Sequence, residues 1–271
     1  MADIRRGFGI TGTVSHDIIA EVAAAAEAAG YTSFWINDIP GGDGPSALAA
    51  AASSTRRITL VSGVLGLSRR SAEDIVLDLR RNNLPLERFW LGIGTGGGPG
   101  GLGRVRTALP ALRAHLGPEV PIFVAATGPR IRALAAREAD GVLLNWPVPA
   151  SASAAVSLVA DTAREAGRPT PRVAAYLRSA LSPQADATAD HEADAHAGSG
   201  MYADILAHHG SSPRASILRG PDRATLQALL ATFDGILDEP VVRAITVDES
   251  AANILELLHA CAPSTASVQP R

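Results

Sequence analysis

Short β-branched or aromatic runs alternate with Ala/Leu-rich stretches of helical period along the chain. The apolar runs predict strands at 4–11 (IRRGFGIT), 33–39 (SFWINDI), 58–66 (ITLVSGVLG), 88–94 (RFWLGIG), 120–126 (VPIFVAA), 140–146 (DGVLLNW), 172–180 (RVAAYLRSA) and 241–247 (VVRAITV). Between and after them the pattern predicts helices at 16–29, 45–54, 71–82, 104–116, 130–138, 151–166, 186–209, 222–237 and 250–260. Local punctuation supports the helix ends. Ser15 is placed to cap the first helix, Gly30 to close it in the left-handed conformation, and Pro45 suits a first turn. Asp248-Glu249-Ser250 puts negative charge at the start of the last helix, where the dipole favours it.

Eight strands alternating with helices predict an α/β fold, a (β/α)8 TIM barrel; a doubly wound open sheet, with its usual smaller strand count, comes second. The expected organisation is one domain over 1–262, with an excursion at about 181–240 that is too long for one helix, and a frayed tail at 263–271. The stretch SPQADATADHEADAHAGSG, polar and alanine-rich, marks the excursion's mobile part.

Composition narrows the function. At 46% hydrophobic and 19% charged, the 271-residue chain can bury a large core. A net charge of -3 and 4% aromatic residues argue against nucleic acid as a partner. All 24 cationic side chains are arginines, which excludes Schiff-base chemistry, pyridoxal phosphate anchoring and a Walker-type ATP site. The single cysteine, Cys261, excludes an internal disulfide and a cysteine-rich zinc site. No stretch is apolar enough to span a membrane, and MADIRRGFGI has no signal-peptide core, so a cytoplasmic protein is expected.

Four motifs carry candidate chemistry. Gly92-Ile93-Gly94-Thr95-Gly96-Gly97 fits G-x-G-x-x-G, but three strand–helix units precede it and the loop runs on through Gly98-Pro99-Gly100-Gly101. A Rossmann site is therefore disfavoured; a glycine loop on the catalytic face of a barrel, or a surface loop with no ligand, remains. Thr127-Gly128-Pro129-Arg130 joins the fifth strand to a helix, as a phosphate-binding helix start or as an ordinary turn. His191 and His196 are five apart, roughly 140° around a helix, so a metal pair is not expected and a solvated helix is. Asn37-Asp38 and Asn145-Trp146 close apolar strands, either facing a barrel mouth or merely forming turns.

Together AEAAGYTSFWINDIP (27–40), TRRITLVSGVLGLSRRS (55–71), RFWLGIGTGG (88–97) and PIFVAATGPRIRALAAREADGVLLNWPVP (121–149) resemble the bacterial luciferase-like superfamily, in particular its branch using the deazaflavin coenzyme F420. The resemblance covers most of residues 1–149 and is general beyond. It implies the same barrel, a homodimer, and a deazaflavin or flavin in its mouth. Asp38 then lies near the ring system. Gly63 and Val64 form the bulge behind it, often through a cis peptide; Thr95 matches a threonine of the deazaflavin branch; and Thr127, Gly128, Pro129 and Arg130 hold the phosphate. Asp38, Asn37, Asn145 and Trp146 would line the substrate side. The branch's dehydrogenases carry a histidine after that aspartate and a glutamate in the loop after strand four, where Ile39 and Gly97 stand here. The implied reading is an F420-dependent oxidoreductase moving a hydride to or from a small organic substrate. Without the acid/base pair, reduction of an activated double bond or imine is expected rather than alcohol oxidation. The alternatives are an FMN-dependent monooxygenase of the same fold and a non-catalytic flavin-binding protein.

Overall fold

Every strand pairing in the structure is parallel, and the sheet closes on itself. This computed structural model describes residues 5–197, 204, 206–208 and 211–263. The chain begins β1 (Gly7–Thr11), α1 (His16–Ala28), β2 (Ser33–Asn37), α2 (Gly44–Ser54), β3 (Thr59–Ser62), β4 (Leu65–Gly66) and α3 (Ala72–Arg81). It continues through β5 (Phe89–Gly94), α4 (Gly101–Leu116), β6 (Ile122–Ala125), α5 (Pro129–Glu138), β7 (Gly141–Asn145) and α6 (Pro149–Glu165). The last third holds β8 (Arg172–Leu181), α7 (Asp186–Ala197), α8 (Pro213–Ser216), β9 (Leu218–Gly220), α9 (Arg223–Ala231), β10 (Glu239–Ile245) and α10 (Ala251–Cys261).

Neighbours run β1, β2, β3/β4, β5, β6, β7, β8, β10 and back to β1, an eight-stranded barrel, while β9 adds to the outer end of β8. The predicted 58–66 strand is broken into β3 and β4 at the cis Gly63–Val64 peptide. The last barrel strand starts two residues earlier than predicted, and α9 ends at Ala231 rather than 237. Of the predicted 186–209 helix, α7 accounts for 186–197; residues 198–203 and the expected tail from 264 onward lie outside the described residues.

The barrel is filled, not hollow. Alternate residues point inward, and Trp35, Val61, Phe123, Leu143, Ala174, Tyr176 and Val241 form one buried cluster, with Val64 and Trp90 packed on it. Trp35 meets Phe123 and Tyr176 edge to face at 6.0 and 5.8 Å, and Trp90 stacks on Phe123 at 5.2 Å. Such rings need small neighbours: a Cβ at Gly141 would lie 2.3 Å from Phe123. A second, larger core lies between the strands and the outer helices, where Ile75, Val76 and Leu79 of α3 are buried. Ser71 and Asp74 start α3 with a reciprocal capping box. Ser15 occupies the N-cap of α1, but its hydroxyl makes no capping bond.

One buried charge sits at the base of the barrel. Glu239 is fully buried, and its carboxylate accepts from Thr32 Oγ1 (2.8 Å), Ser33 Oγ (2.6 Å) and Arg5 Nε (3.0 Å). Ser33 Oγ in turn accepts from Trp35 Nε1 at 2.7 Å. The knot therefore ties β10 to β2 and fixes the central indole. Removing the carboxylate strands the donors around it. We expect Glu239→Ala to cost about 3 kcal/mol in denaturant unfolding, and Glu239→Gln less. A loss within error of zero for the alanine variant would show that water replaces the carboxylate.

Candidate functional site

The carboxyl ends of the barrel strands carry two unlike halves. On the side of β3 to β6 the rim is backbone and small side chains: the cis Gly63–Val64 peptide, Gly94, Ala125 and the Thr127–Gly128 turn. Tyr176 Oη donates to Gly63 O at 2.8 Å from inside the barrel, and burial raises its phenol well above the ordinary value. A Cβ at Gly94 would lie 2.7 Å from Val64 Cγ2, so Val64 packs where residue 94 has no side chain. Gly128 caps α5 with φ −103°, and a Cβ built there meets nothing within 4 Å. Thr127 and Gly128 are half-buried, whereas Pro129 and Arg130 are exposed. Arg132, not Arg130, grips the turn, through Nη2 to Thr127 O (2.7 Å) and Nε to Ala126 O (3.3 Å).

Thr95 is half-buried at the start of the glycine loop, which Arg104 holds through the carbonyls of Thr95, Gly97 and Pro99. Gly97 has φ +77°, a left-handed backbone that suits glycine better than the glutamate expected by resemblance.

On the opposite side, β7, β8 and β10 contribute charge. Arg178 is 3% exposed; its Nη1 donates to Asn145 Oδ1 and its Nε to Glu192 Oε1, both at 2.6 Å. Its guanidinium lies 3.5 Å from the centroid of the Trp146 ring. Arg243, 6% exposed, is the register neighbour of Arg178 on β10. Glu192 comes from α7, which lies across this half of the mouth. The helix seats Ala185, Ala189 and Ala193 on Trp146, Ala180 and Ile245. Asp186, Asp190 and Asp194 bind it to Arg214 and Arg219 beyond. One turn after Glu192, His196 packs its ring 4.9 Å from Trp146 and places Nδ1 2.8 Å from Glu192 O. A carbonyl only accepts, so Nδ1 carries the proton and Nε2 the lone pair when the ring is neutral.

The electrostatics follow from burial and neighbours. Burial opposes the ionised form of Glu192, but Arg243 and Arg178 outweigh it and hold its carboxyl below the ordinary range. Burial pushes the His196 imidazole down from its ordinary 6.5, against the Glu192 carbonyl, and the two arginines add to the fall.

These positions revise the sequence reading. Asn37 and Asn145 fall two residues after the inward Trp35 and Leu143, on the mouth side. Trp146 is buried under α7, at φ +56°. Asp38 does not offer a carboxylate to the mouth. Its Oδ1 accepts from Gly44 N (3.0 Å), and its Oδ2 from Arg69 Nη2 (2.5 Å) and Arg70 Nη1 (2.6 Å). It is a structural anchor joining α2 to the turn before α3. The solvated-helix reading of HEADAH holds for the exposed His191 and Asp194 but not for Glu192 and His196. Arg178, Arg243 and Glu192 carry no motif of their own, and His196 enters the sequence reading only as half of a rejected metal pair; the Glu192-x3-His196 spacing, one helical turn, is the available signal. Among the described residues no group of three or more His, Cys, Asp or Glu gathers as metal ligands, and no helix is long and apolar enough to cross a membrane.

Two outcomes follow. Asp38→Asn should lower unfolding stability by about 1–3 kcal/mol, because two guanidiniums lose their shared acceptor, and leave the shape of any pH–rate profile unchanged. A shifted profile would return Asp38 to the chemistry. For α7, the folded-state value of His196 lies below 6.5, so docking is strongest above that pH and weakens as acidification carries the ring through its folded value. Hydrogen exchange in 186–197, corrected for intrinsic rates, should quicken as the pH falls below the ordinary imidazole value of 6.5, and His196→Gln should flatten that response. An unaltered response in the variant would place the switch elsewhere.

The sequence profile of the luciferase-like monooxygenase family matches residues 5–101 and 101–266. Comparison with curated protein sequences finds no match. Among solved structures, the coenzyme F420-dependent tetrahydromethanopterin reductase of Methanopyrus kandleri superposes with a TM-score of 0.76 at 18% identity, covering 94% of this chain and 98% of its own. An F420-dependent secondary alcohol dehydrogenase, solved with an F420–acetone adduct, gives 0.74 at 14% identity, with 95% and 99% covered. The oxygenating constituent of 3,6-diketocamphane monooxygenase from Pseudomonas putida, solved with FMN, gives 0.72 at 15% identity, with 96% and 97% covered.

Proposed function

Since the chain belongs to the luciferase-like monooxygenase family, we propose that it is an F420-dependent oxidoreductase moving a hydride between the deazaflavin and a small organic substrate. The observation that carries this reading is the side-chain-poor half of the mouth. Gly63–Val64, Gly94 and Ala125 leave a surface without projecting groups, and it leads to the open α5 start at Thr127–Gly128. A flat ring with a phosphate-bearing tail fits such a surface. Helix-start N–H groups favour the phosphate, and the open space at Gly128 lets it approach the backbone. Two of the similar structures are F420-dependent enzymes and one is an FMN complex, and FMN is the alternative that the test below separates.

Gly63, Val64, Gly94, Thr95, Thr127 and Gly128 would hold the cofactor, which when bound supplies the hydride chemistry. The rest belongs to this chain's own residues. α7 keeps bulk water from the charged half of the mouth, and Arg178, fixed by Asn145, Glu192 and the Trp146 ring, keeps its guanidinium in one orientation. Glu192 stays ionised and engaged. His196 keeps its Nδ1–H on the Glu192 carbonyl, and burial keeps its ring neutral near pH 7.

Titration of the purified chain with coenzyme F420, FMN and NADPH, followed by fluorescence, tests the reading. We expect F420 to bind tightest, and Gly128→Val to weaken it by about 1–3 kcal/mol with unfolding stability kept, since the added side chain fills only the cofactor's space. FMN binding tightest would favour the monooxygenase alternative, and no binding of either would remove the proposal. Equal F420 affinity in Gly128→Val would move the phosphate site.

A further inference from the structure

Arg178 and Arg243 are register partners on adjacent strands, about 4.8 Å apart in the sheet, toward the mouth end of the barrel. Each residue is more than nine-tenths buried. Arg178 is engaged by Glu192 and Asn145. Arg243 is not comparably satisfied. Its Nη1 donates to the carbonyl of Ala244 on its own strand, its buried Nε has no acceptor, and no carboxylate among the described residues lies within ion-pair distance. One lid carboxylate thus faces two buried cations. A buried guanidinium left so is costly, and its planar fork of donors matches a carboxylate.

Arg243 also lines a cavity of about 140 Å³, bounded by Thr11, Thr188, Glu192, Thr246 and Glu249. Glu249 does not neutralise it. That side chain is exposed and accepts from the hydroxyls of Thr11 (2.6 Å) and Thr13 (3.1 Å). The two acids make the cavity unwelcoming to a dianion, while Arg243 favours a single negative charge.

We propose that this cavity is the substrate's anchoring subsite and that the substrate is a small organic acid whose carboxylate pairs with Arg243. The inference deepens the proposed function and rests on its placing the substrate at this mouth. The cavity holds a chain of only a few carbons. Arg243 thereby selects substrates by charge, and α7 encloses them through Thr188 and Glu192.

The test is calorimetric titration of the full chain, without cofactor, with butyrate and 2-hydroxybutyrate, against butyramide as neutral isostere and inorganic phosphate as dianion. The carboxylates should bind at least about tenfold more tightly than either control. Arg243→Met should reduce their affinity by about tenfold or more while its own melting temperature holds or rises, because an unpaired buried charge has gone. Arg243→Lys, which keeps the charge but not the fork, should fall between, and it carries the test should the methionine variant fail to fold. Equal binding of butyramide, tighter binding of phosphate, no carboxylate binding, or undiminished affinity in the Arg243 variants would each overturn the inference. Parallel F420 and FMN titrations separate the two readings. Cofactor binding without carboxylate binding overturns only the subsite, and carboxylate binding without either cofactor overturns only the proposed function.

Discussion

Seven consecutive residue pairs between β8 and β10, from Glu239 with Ala174 to Ile245 with Ala180, close the barrel, and the rest of the molecule depends on that closure. At its base the pairing carries Glu239 inward to Thr32, Ser33 and Arg5. At its top it sets Arg178 beside Arg243. The same register thus fixes a satisfied buried charge at the stable end and a crowded pair of charges at the other. A one-residue slip of β10 against β8 would turn Arg243 outward among the apolar helices, which the burial cost of a guanidinium forbids.

Charge imbalance at the mouth explains why α7 lies where it does. Its alanine stripe buries little surface, so apolar contact alone gives it modest purchase. Glu192 reaching Arg178, with the aspartates gripping Arg214 and Arg219 on the far side, supplies what the alanines lack. A helix held largely by ion pairs and one half-buried imidazole can open at small cost. The other half of the mouth needs no lid, because its rim is backbone and small residues.

Much of the architecture was legible in the chain. Apolar runs of β-branched residues alternating with helical stretches marked each barrel strand to within a few residues, because strands covered on both faces must be apolar throughout. The glycine loop after β5 was legible as a loop, and four of its glycines take positive φ. Asp38 illustrates the limit. Its position at a strand end was clear, but the direction of its carboxylate depends on Arg69 and Arg70 from the next connection, whose approach no local pattern records. The helix over 186–197 is predicted by the sequence, but its buried face was hidden for a different reason. Alanine contrasts weakly with polar neighbours, so a helix buried on an alanine stripe reads as solvated, and the Glu192–His196 face was lost with it.

By itself, then, the sequence determined the barrel, the small-residue rim and the helix start at Gly128, since each is written in local periodicity or in the conformational freedom of single residues. Only the tertiary structure decided which charges meet. Arg178 and Glu192 come from consecutive elements and Arg243 from a strand much later in the chain, and their encounter is set by strand register and by where α7 docks. Register and docking are settled by the packing of the whole barrel around Trp35 and Phe123, and no window of neighbouring residues encodes that.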